Sequence, residues 1–187
     1  MKRNNQPDKY ILLSILLFPL VNIGWLLFGG SVVEIEYNSE FLAKQIAICL
    51  FVGLAEELFF RGLVLRELVF GYNWRHFLAS VVVSFVFGVL HLLNVNSYAT
   101  WNYAIMQSIC AFKISFNLCA IFIKTKKLIW CVLIHSLINI TSIGVGCSAN
   151  GKQLVLSNIE SIIFLSVSFI YLVNGIKMLN NKMVEGK

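Results

Sequence analysis

Long apolar runs separated by short polar segments dominate the chain. The runs cover about residues 10–28, 41–65, 77–93, 102–123, 128–145 and 159–179. Each has about the 20 residues that a helix needs to cross the apolar core of a bilayer. A helix also satisfies its own backbone hydrogen bonds where no water is present. The pattern therefore predicts an all-α, multi-pass membrane helical bundle with about six transmembrane helices.

The composition agrees with a membrane protein rather than a soluble one. Hydrophobic residues make up 58% of the sequence and charged residues 13%, whereas soluble domains have about 45–50% and about 25%. The formal net charge is +6. Because the basic residues lie in short segments between apolar runs and form no continuous stripe, we expect no nucleic-acid partner.

The positions of the basic residues predict the orientation of the chain. Cytoplasmic segments next to membrane helices are enriched in lysine and arginine. With a cytoplasmic N-terminus, Lys44 and Lys152 are the only basic residues outside the membrane spans or at their ends that fall on the outer side. We therefore expect an N-in, C-in arrangement, in which the first run is retained as a membrane helix because it lacks a small-x-small cleavage pattern. The basic residues on the cytoplasmic side would be Lys2, Arg3, Lys9, Arg66, Arg75, Lys124, Lys126, Lys127, Lys177, Lys182 and Lys187.

Three ionisable side chains, Glu56, Glu57 and Arg61, interrupt the second apolar run. A charged residue at the centre of a membrane helix costs about 2.5–3.5 kcal/mol on insertion scales, so such groups face protein, pair with one another or take part in chemistry. Glu57 and Arg61 are four residues apart with the acid first, which is the favourable order for a helical ion pair. Glu56 lies about 100° around the helix from Glu57. We therefore expect Glu56 to be free to act as an acid or base.

Two later runs carry a histidine in a patterned setting. Phe87 and His91 are four residues apart, so the aromatic ring can hold the imidazole in place. His135 and Asn139 have the same spacing and project from one face of their helix. Each histidine alone fits an interhelical hydrogen bond, but together with Glu56 they favour a polar site between helices.

Two other polar residues have simpler interpretations. His76 follows Arg75, the last residue of a polar link predicted for residues 66–75, and we expect it to be a loop residue that is solvated or at the lipid headgroups. Lys113 lies inside the fourth run, where it could extend its stem toward the membrane surface, pair with an acid or line a cavity. The five cysteines show no C-x-x-C spacing, so we interpret them as small packing residues.

The proposed set of side chains can hydrolyse a peptide bond with an activated water molecule. A carboxylate in a water-poor site is a stronger base than in solution, and an imidazole can help to deprotonate the water. A second imidazole and an amide can donate hydrogen bonds to the developing oxyanion. No G-x-S-x-G segment is present, so the pattern implies no serine nucleophile.

The depths of the two histidines set a geometric condition on this site. At about 1.5 Å per residue, His135 lies about 10 Å from the inner membrane surface and His91 about 20 Å. Both can therefore approach Glu56 only if the helices are tilted or the spans begin at other residues than expected.

A zinc ion is the competing chemical explanation. Glu56, His91 and His135 could supply three ligands and leave a fourth position open. The H-E-x-x-H motif is absent, however, and each histidine is alone on its predicted helix. We therefore expect no cofactor and keep zinc as the disfavoured alternative.

Taken together, these motifs resemble the CPBP family, the Abi-like group of intramembrane glutamic endopeptidases that includes CAAX proteases and bacteriocin-processing proteins. The family pattern is E-E-x-x-x-R, then F-x-x-x-H, then H-x-x-x-N, each on a different membrane helix, and all three occur here in order. The resemblance extends over about residues 45–139. It implies a protease-like core at about residues 41–145 within a single membrane-embedded domain of residues 1–187.

The resemblance also implies a role for each matched residue. Glu56 would activate a water molecule with the help of His91. His135 and Asn139 would form the oxyanion site. The supporting pair would be Glu57 and Arg61.

The activity that the resemblance implies is intramembrane endopeptidase activity in peptide maturation, bacteriocin processing or self-immunity, in a bacterial plasma membrane. The expected partners are the lipid bilayer and a peptide or membrane-protein substrate. Two other functions stay open. One is an immunity or binding protein that keeps the scaffold without proteolysis, and the other is an ion or proton transporter that uses Glu56, Arg61 and Lys113.

Overall fold

The computed structural model describes residues 9–28, 39–95, 100–146 and 158–180, and all regular structure within these ranges is helical. The all-α prediction is therefore confirmed. Two π-helical segments, Leu58–Leu65 and Glu67–Gly71, continue the second helix, and a 3₁₀ turn, His91–Asn94, ends the third. The α-helices in chain order are α1 (Lys9–Phe28), α2 (Ser39–Glu57), α3 (His76–Leu90), α4 (Trp101–Thr125), α5 (Leu128–Gly146) and α6 (Asn158–Asn180).

Two expectations drawn from the polar pattern are wrong. The predicted link at residues 66–75 is helical as far as Gly71, and His76 is the first residue of α3 instead of a loop residue. The buried side chains of Leu65 and Val69 give the physical reason. The buried apolar face of this helix continues beyond residue 65, where the apolar run ends, so the helix also continues.

Large apolar side chains cover the outer surface of the bundle. Leu93 is 77% exposed and Phe85 63% exposed, and many leucine, isoleucine and phenylalanine side chains resemble them. Soluble proteins rarely present such a continuous apolar surface to water. The outer surface therefore fits contact with lipid.

Within the part of the chain that the structure describes, three helical segments are long and apolar enough to cross a membrane, namely His76–Asn94, Trp101–Thr125 and Ser161–Asn180. Lys9–Gly24 and Leu128–Ser142 are apolar but shorter. The number of about six spans and the N-in, C-in orientation stay predictions. The predicted orientation depends partly on basic residues that lie outside the described residues, including Lys2, Arg3, Lys152, Lys182 and Lys187.

Helix α4 packs against α3 on one side and α6 on the other. Its residues 115–123 are buried throughout, yet α4 has no glycine to allow close approach. The neighbouring helices supply the glycines instead. A Cβ atom on Gly88 of α3 would lie 2.9 Å from the carbonyl oxygen of Ser108, and one on Gly175 of α6 would lie 3.0 Å from the Cα of Asn117.

Lys113 links α4 to α6. Its Nζ donates hydrogen bonds to the carbonyl oxygen of Leu165 at 3.2 Å and to Oγ of Ser168 at 3.3 Å. None of the alternatives considered from the sequence describes this contact, in which a lysine bonds to the backbone of a neighbouring helix. The link holds the two helices side by side near the polar site.

A buried polar cluster joins α1, α4 and α6. Ser14 Oγ accepts hydrogen bonds from Nδ2 of Asn117 at 2.7 Å and from Nδ2 of Asn174 at 3.0 Å. Asn174 Nδ2 also lies 3.0 Å from Oδ1 of Asn117. Hydrogen bonds of this kind help to hold helices together in a membrane, so α1 and α6 are fixed against the central helix.

Candidate active site

The predicted ion pair lies where α2 meets the first π-helical segment. Arg61 Nη1 donates to Oε1 of Glu57 at 2.6 Å, and both side chains are fully buried. Arg61 Nη2 also donates to Oγ of Ser115 at 2.7 Å and to its carbonyl oxygen at 3.2 Å. The pair therefore fixes the continuation of α2 against α4, through a serine whose hydrogen bonds to Arg61 were not predicted from the sequence.

A change of helical pitch directly follows the two glutamates. Glu57 is the last residue of α2, and the π-helical segment begins at Leu58. The sequence predicted one uninterrupted helix over about residues 41–65, and this expectation is wrong in detail. π-Helical turns are rare and are often found at functional sites, which agrees with the position of the polar cluster.

His135 lies between the two glutamates. Its Nδ1 is 2.8 Å from Oε1 of Glu57, and because a carboxylate accepts, Nδ1 carries the proton of this bond. Its Nε2 is 3.5 Å from Oε2 of Glu56, which is longer than an ordinary hydrogen bond. The side chain of Glu56 is 33% exposed, whereas that of Glu57 is 0% exposed. The two glutamates thus occupy different environments.

The ring of Phe87 contacts three of the predicted site residues. Its centroid lies 4.7 Å from that of His91 and 5.9 Å from that of His135. The guanidinium of Arg61 lies over the same ring, 5.0 Å from its centroid. The sequence predicted the contact with His91 alone, because the other two partners lie far away along the chain.

His91 is held by the backbone as well as by the ring of Phe87. Its Nδ1 lies 2.8 Å from the carbonyl oxygen of Phe87. Because a carbonyl oxygen only accepts, Nδ1 is the donor, and in the neutral ring Nε2 keeps its lone pair. His91 therefore has the form of imidazole that can accept a proton from water.

A cavity of about 170 Å³ adjoins these side chains and is lined by His91, His135 and Asn139. Residues of α1, α3, α4 and α6 complete its mainly apolar wall. Glu56 is not among the lining residues, but its Oε2 lies 3.5 Å from Nε2 of His135, which is one of them. The structure therefore brings the four predicted catalytic residues into one region, and the depth difference expected for upright helices does not separate the two histidines.

The described residues contain no group of three histidine, cysteine, aspartate or glutamate side chains arranged to hold a metal ion. His135 already uses Nδ1 in its bond to Glu57. The geometry therefore gives the zinc alternative no added support. Hydrolysis without a cofactor stays a prediction.

A glycine allows α2 and α5 to approach closely at the level of the site. A Cβ atom on Gly53 would lie 2.5 Å from Oγ and 3.3 Å from the backbone nitrogen of Ser136. Ser136 follows His135, and Gly53 lies one turn before Glu57. This approach therefore sets the distance between the glutamates and the imidazole.

Comparison with known families gives an independent result. The family model described as type II CAAX prenyl endopeptidase Rce1-like matches residues 38–141, which is more than half of the chain. Comparisons with curated proteins and with solved structures gave no significant match. All the candidate site residues lie inside the matched segment, as do the three motifs that carry the sequence resemblance. The chain therefore belongs to the Rce1-like family of type II CAAX prenyl endopeptidases, which places it among the membrane-embedded proteases.

Proposed function

We propose that the protein is an intramembrane endopeptidase that hydrolyses a peptide bond with a water molecule activated by Glu56 and His91. The observation that carries this proposal is the difference between the two glutamates. Glu57 is buried against Arg61, whereas Glu56 is partly exposed and has no lysine or arginine partner among the described residues. No lysine or arginine side chain of the described residues competes with water for the lone pairs of such a carboxylate.

His91 supports the same step. With Nδ1 bonded to the carbonyl oxygen of Phe87, the lone pair on Nε2 is free to accept a proton or to hold the water. The aromatic contact with Phe87 restricts rotation of the imidazole. A base whose orientation is fixed before the substrate binds is more effective than a mobile one.

His135 and Asn139 are proposed as the oxyanion donors. For Nε2 of His135 to donate, the ring must carry a proton on both nitrogens, and the carboxylates of Glu57 and Glu56 lie beside the two nitrogen atoms. Asn139 contributes its amide from the same helix and lines the same cavity. Loss of one such donor typically lowers the rate about 10²–10³-fold.

The substrate is proposed to be a peptide or a membrane-protein segment that reaches the site from the bilayer. The family description makes a CAAX prenyl peptide the first candidate. Peptide maturation, bacteriocin processing and self-immunity are the proposed settings, in a bacterial plasma membrane. The mainly apolar lining of the cavity supports a substrate with an apolar group near the scissile bond.

The substrate can be found by comparing the proteomes of cells that carry the wild-type protein or the Glu56→Ala variant. A precursor is expected to accumulate in the variant, because the water would no longer be deprotonated. Glu67→Ala is the matched control, since Glu67 is an exposed carboxylate on the second π-helical segment. Identical proteomes in all three strains would contradict the proposal. Protection of cells from a toxic peptide by the Glu56→Ala variant would then favour the immunity function.

Gly53→Ala is expected to lower the cleavage rate of that precursor about tenfold or more, because the added methyl group pushes α2 away from α5 and separates Glu56 from His135. Gly24→Ala is the control, since a Cβ atom there would meet nothing within 4 Å. Rates are measured with purified protein in liposomes, together with the unfolding midpoint. Full activity of Gly53→Ala would show that the close approach of the two helices does not position the site.

A further inference from the structure

We propose that the stacked rings of Phe18 and Phe164 set the size of the apolar group that the cavity accepts from a substrate. This inference rests on the proposed endopeptidase function, because the same cavity is lined by His91, His135 and Asn139. Phe18 belongs to α1 and Phe164 to α6, so both lie outside the segment that matches the family model. The selectivity would therefore be a property of this chain and not of the shared core.

The volume of the cavity limits what it can hold. It measures about 170 Å³, slightly more than a cavity of about 150 Å³ that binds benzene in another protein. One aromatic or branched aliphatic side chain therefore fits, whereas a longer chain would extend beyond the walls. The apolar walls, which include Met106, Ile114 and Ile138, favour such a group over a polar one.

The two phenylalanine rings form a continuous wall. Their centroids are 5.7 Å apart and the rings are nearly parallel, at 14°. Both side chains are buried and both line the cavity. Removing either ring would therefore add its volume to the space beside the proposed catalytic residues.

Tyr171 of α6 holds this wall in place. Its hydroxyl accepts a hydrogen bond from the backbone N–H of Phe18 at 3.3 Å and donates one to the carbonyl oxygen of Ser14 at 2.6 Å. These two backbone groups are the pair that bond to each other in an uninterrupted helix. A side chain inserted there, one residue before Pro19, fixes the course of α1. Tyr171 thus ties α1 at Phe18 to α6, the helix that carries Phe164, and the wall selects by size instead of yielding.

Cys110 provides a reporter inside the cavity that does not depend on catalysis. It is a free, buried cysteine of the cavity wall and has no proposed catalytic role. Methanethiosulfonates carrying a methyl, benzyl or naphthylmethyl group serve as probes of increasing size. The thiolate attacks the sulfenyl sulfur, a mixed disulfide forms and the sulfinate leaves, so each modified molecule gains a defined mass.

The experiment measures labelling of Cys110 by peptide mass spectrometry in the purified full-length protein. In the wild type, the methyl and benzyl reagents are expected to react and the naphthylmethyl reagent to react poorly. Phe18→Ala and Phe164→Ala are expected to raise the ratio of naphthylmethyl to methyl labelling about tenfold or more. Ala111→Phe, which fills the same cavity, is expected to lower the ratio of benzyl to methyl labelling.

Matched controls separate the wall from general loosening of the helices. Leu16→Ala on α1 and Ile162→Ala on α6 shorten exposed side chains of the same helices and are expected to leave the ratios unchanged. Labelling of the fully buried Cys119 or Cys131 would reveal an unfolded variant. If an alanine variant is unfolded in this way, the labelling ratios of Ala111→Phe and of the milder Phe164→Leu test the inference instead.

The inference is overturned if Cys110 of the wild type does not react with the methyl reagent. It is also overturned if Phe18→Ala, Phe164→Ala and Ala111→Phe are folded and leave the labelling ratios unchanged. The same ratios are expected in a Glu56→Gln background, because labelling needs no hydrolysis. Failure of the size filter is therefore distinguishable from failure of the proposed function. Once a precursor is known, Phe18→Ala is expected to favour substrates with a bulkier group at the cavity.

Discussion

Replacing Arg61 with leucine is expected to destabilise the protein by about 3–5 kcal/mol, because the substitution leaves the buried carboxylate of Glu57 without its cationic partner. Both side chains of the pair are fully buried. The hydrogen bonds from Arg61 to Ser115 on α4 are lost as well. The free energy of unfolding in mixed detergent micelles measures the effect.

A second ion pair in the chain provides the matched control. Glu40 and Lys44 have the same i, i+4 spacing at 2.7 Å, but their side chains are 75% and 68% exposed. Lys44→Leu is therefore expected to change the free energy of unfolding by less than about 1 kcal/mol. The double variant Glu57→Gln/Arg61→Leu should recover part of the stability, because it removes both buried charges. Equal small losses for Arg61→Leu and Lys44→Leu would contradict the burial of the Glu57–Arg61 pair.

The two adjacent glutamates are expected to respond differently to the same substitution. Glu56→Gln should lower the cleavage rate about 10²–10⁴-fold and leave the unfolding midpoint unchanged, because this side chain is partly exposed and makes no short hydrogen bond to the residues that the structure describes. Glu57→Gln should lower the unfolding midpoint as well as the cleavage rate, because it weakens the bonds to Arg61 and His135. Cleavage rates and unfolding midpoints of both variants are measured on the same preparations. A lower unfolding midpoint for Glu56→Gln, or a lower cleavage rate for Glu57→Gln but not for Glu56→Gln, would reverse the roles assigned to the two carboxylates.

The parts of the site that the sequence predicts are those fixed by helical spacing. Glu57 with Arg61 and Phe87 with His91 are four residues apart and meet in the structure. A side chain four residues along a helix lies on the same face, so no knowledge of the fold is needed. The similar spacing of His135 and Asn139 places both in the wall of one cavity.

The contacts between helices could not be predicted from spacing. His135 meets Glu57 across 78 residues of chain, and the ring of Phe87 contacts His135 and Arg61 from two other elements. The depths expected for upright helices placed His91 and His135 apart, because they took no account of how the helices cross. The role of Ser115 was hidden because a serine in an apolar run has many possible partners.

Helix boundaries were predicted less well than helix positions. The polar residues after Leu65 suggested a loop, yet Val69 keeps the helix anchored in the core as far as Gly71. The change from α to π pitch leaves no mark in the apolar pattern, because both forms bury one face. Lys113 shows a similar limit, since its partners on α6 are a carbonyl oxygen and a hydroxyl that carry no charge signal.

The most direct test of an activated water at Glu56 is cleavage of the accumulated precursor by purified protein in liposomes, with and without a metal chelator. We predict that the wild type cleaves the precursor at the same rate in both conditions, and that Glu56→Gln cleaves it at less than about one hundredth of that rate. Cleavage by Glu56→Gln at the wild-type rate, or loss of wild-type cleavage on chelation, would contradict this mechanism.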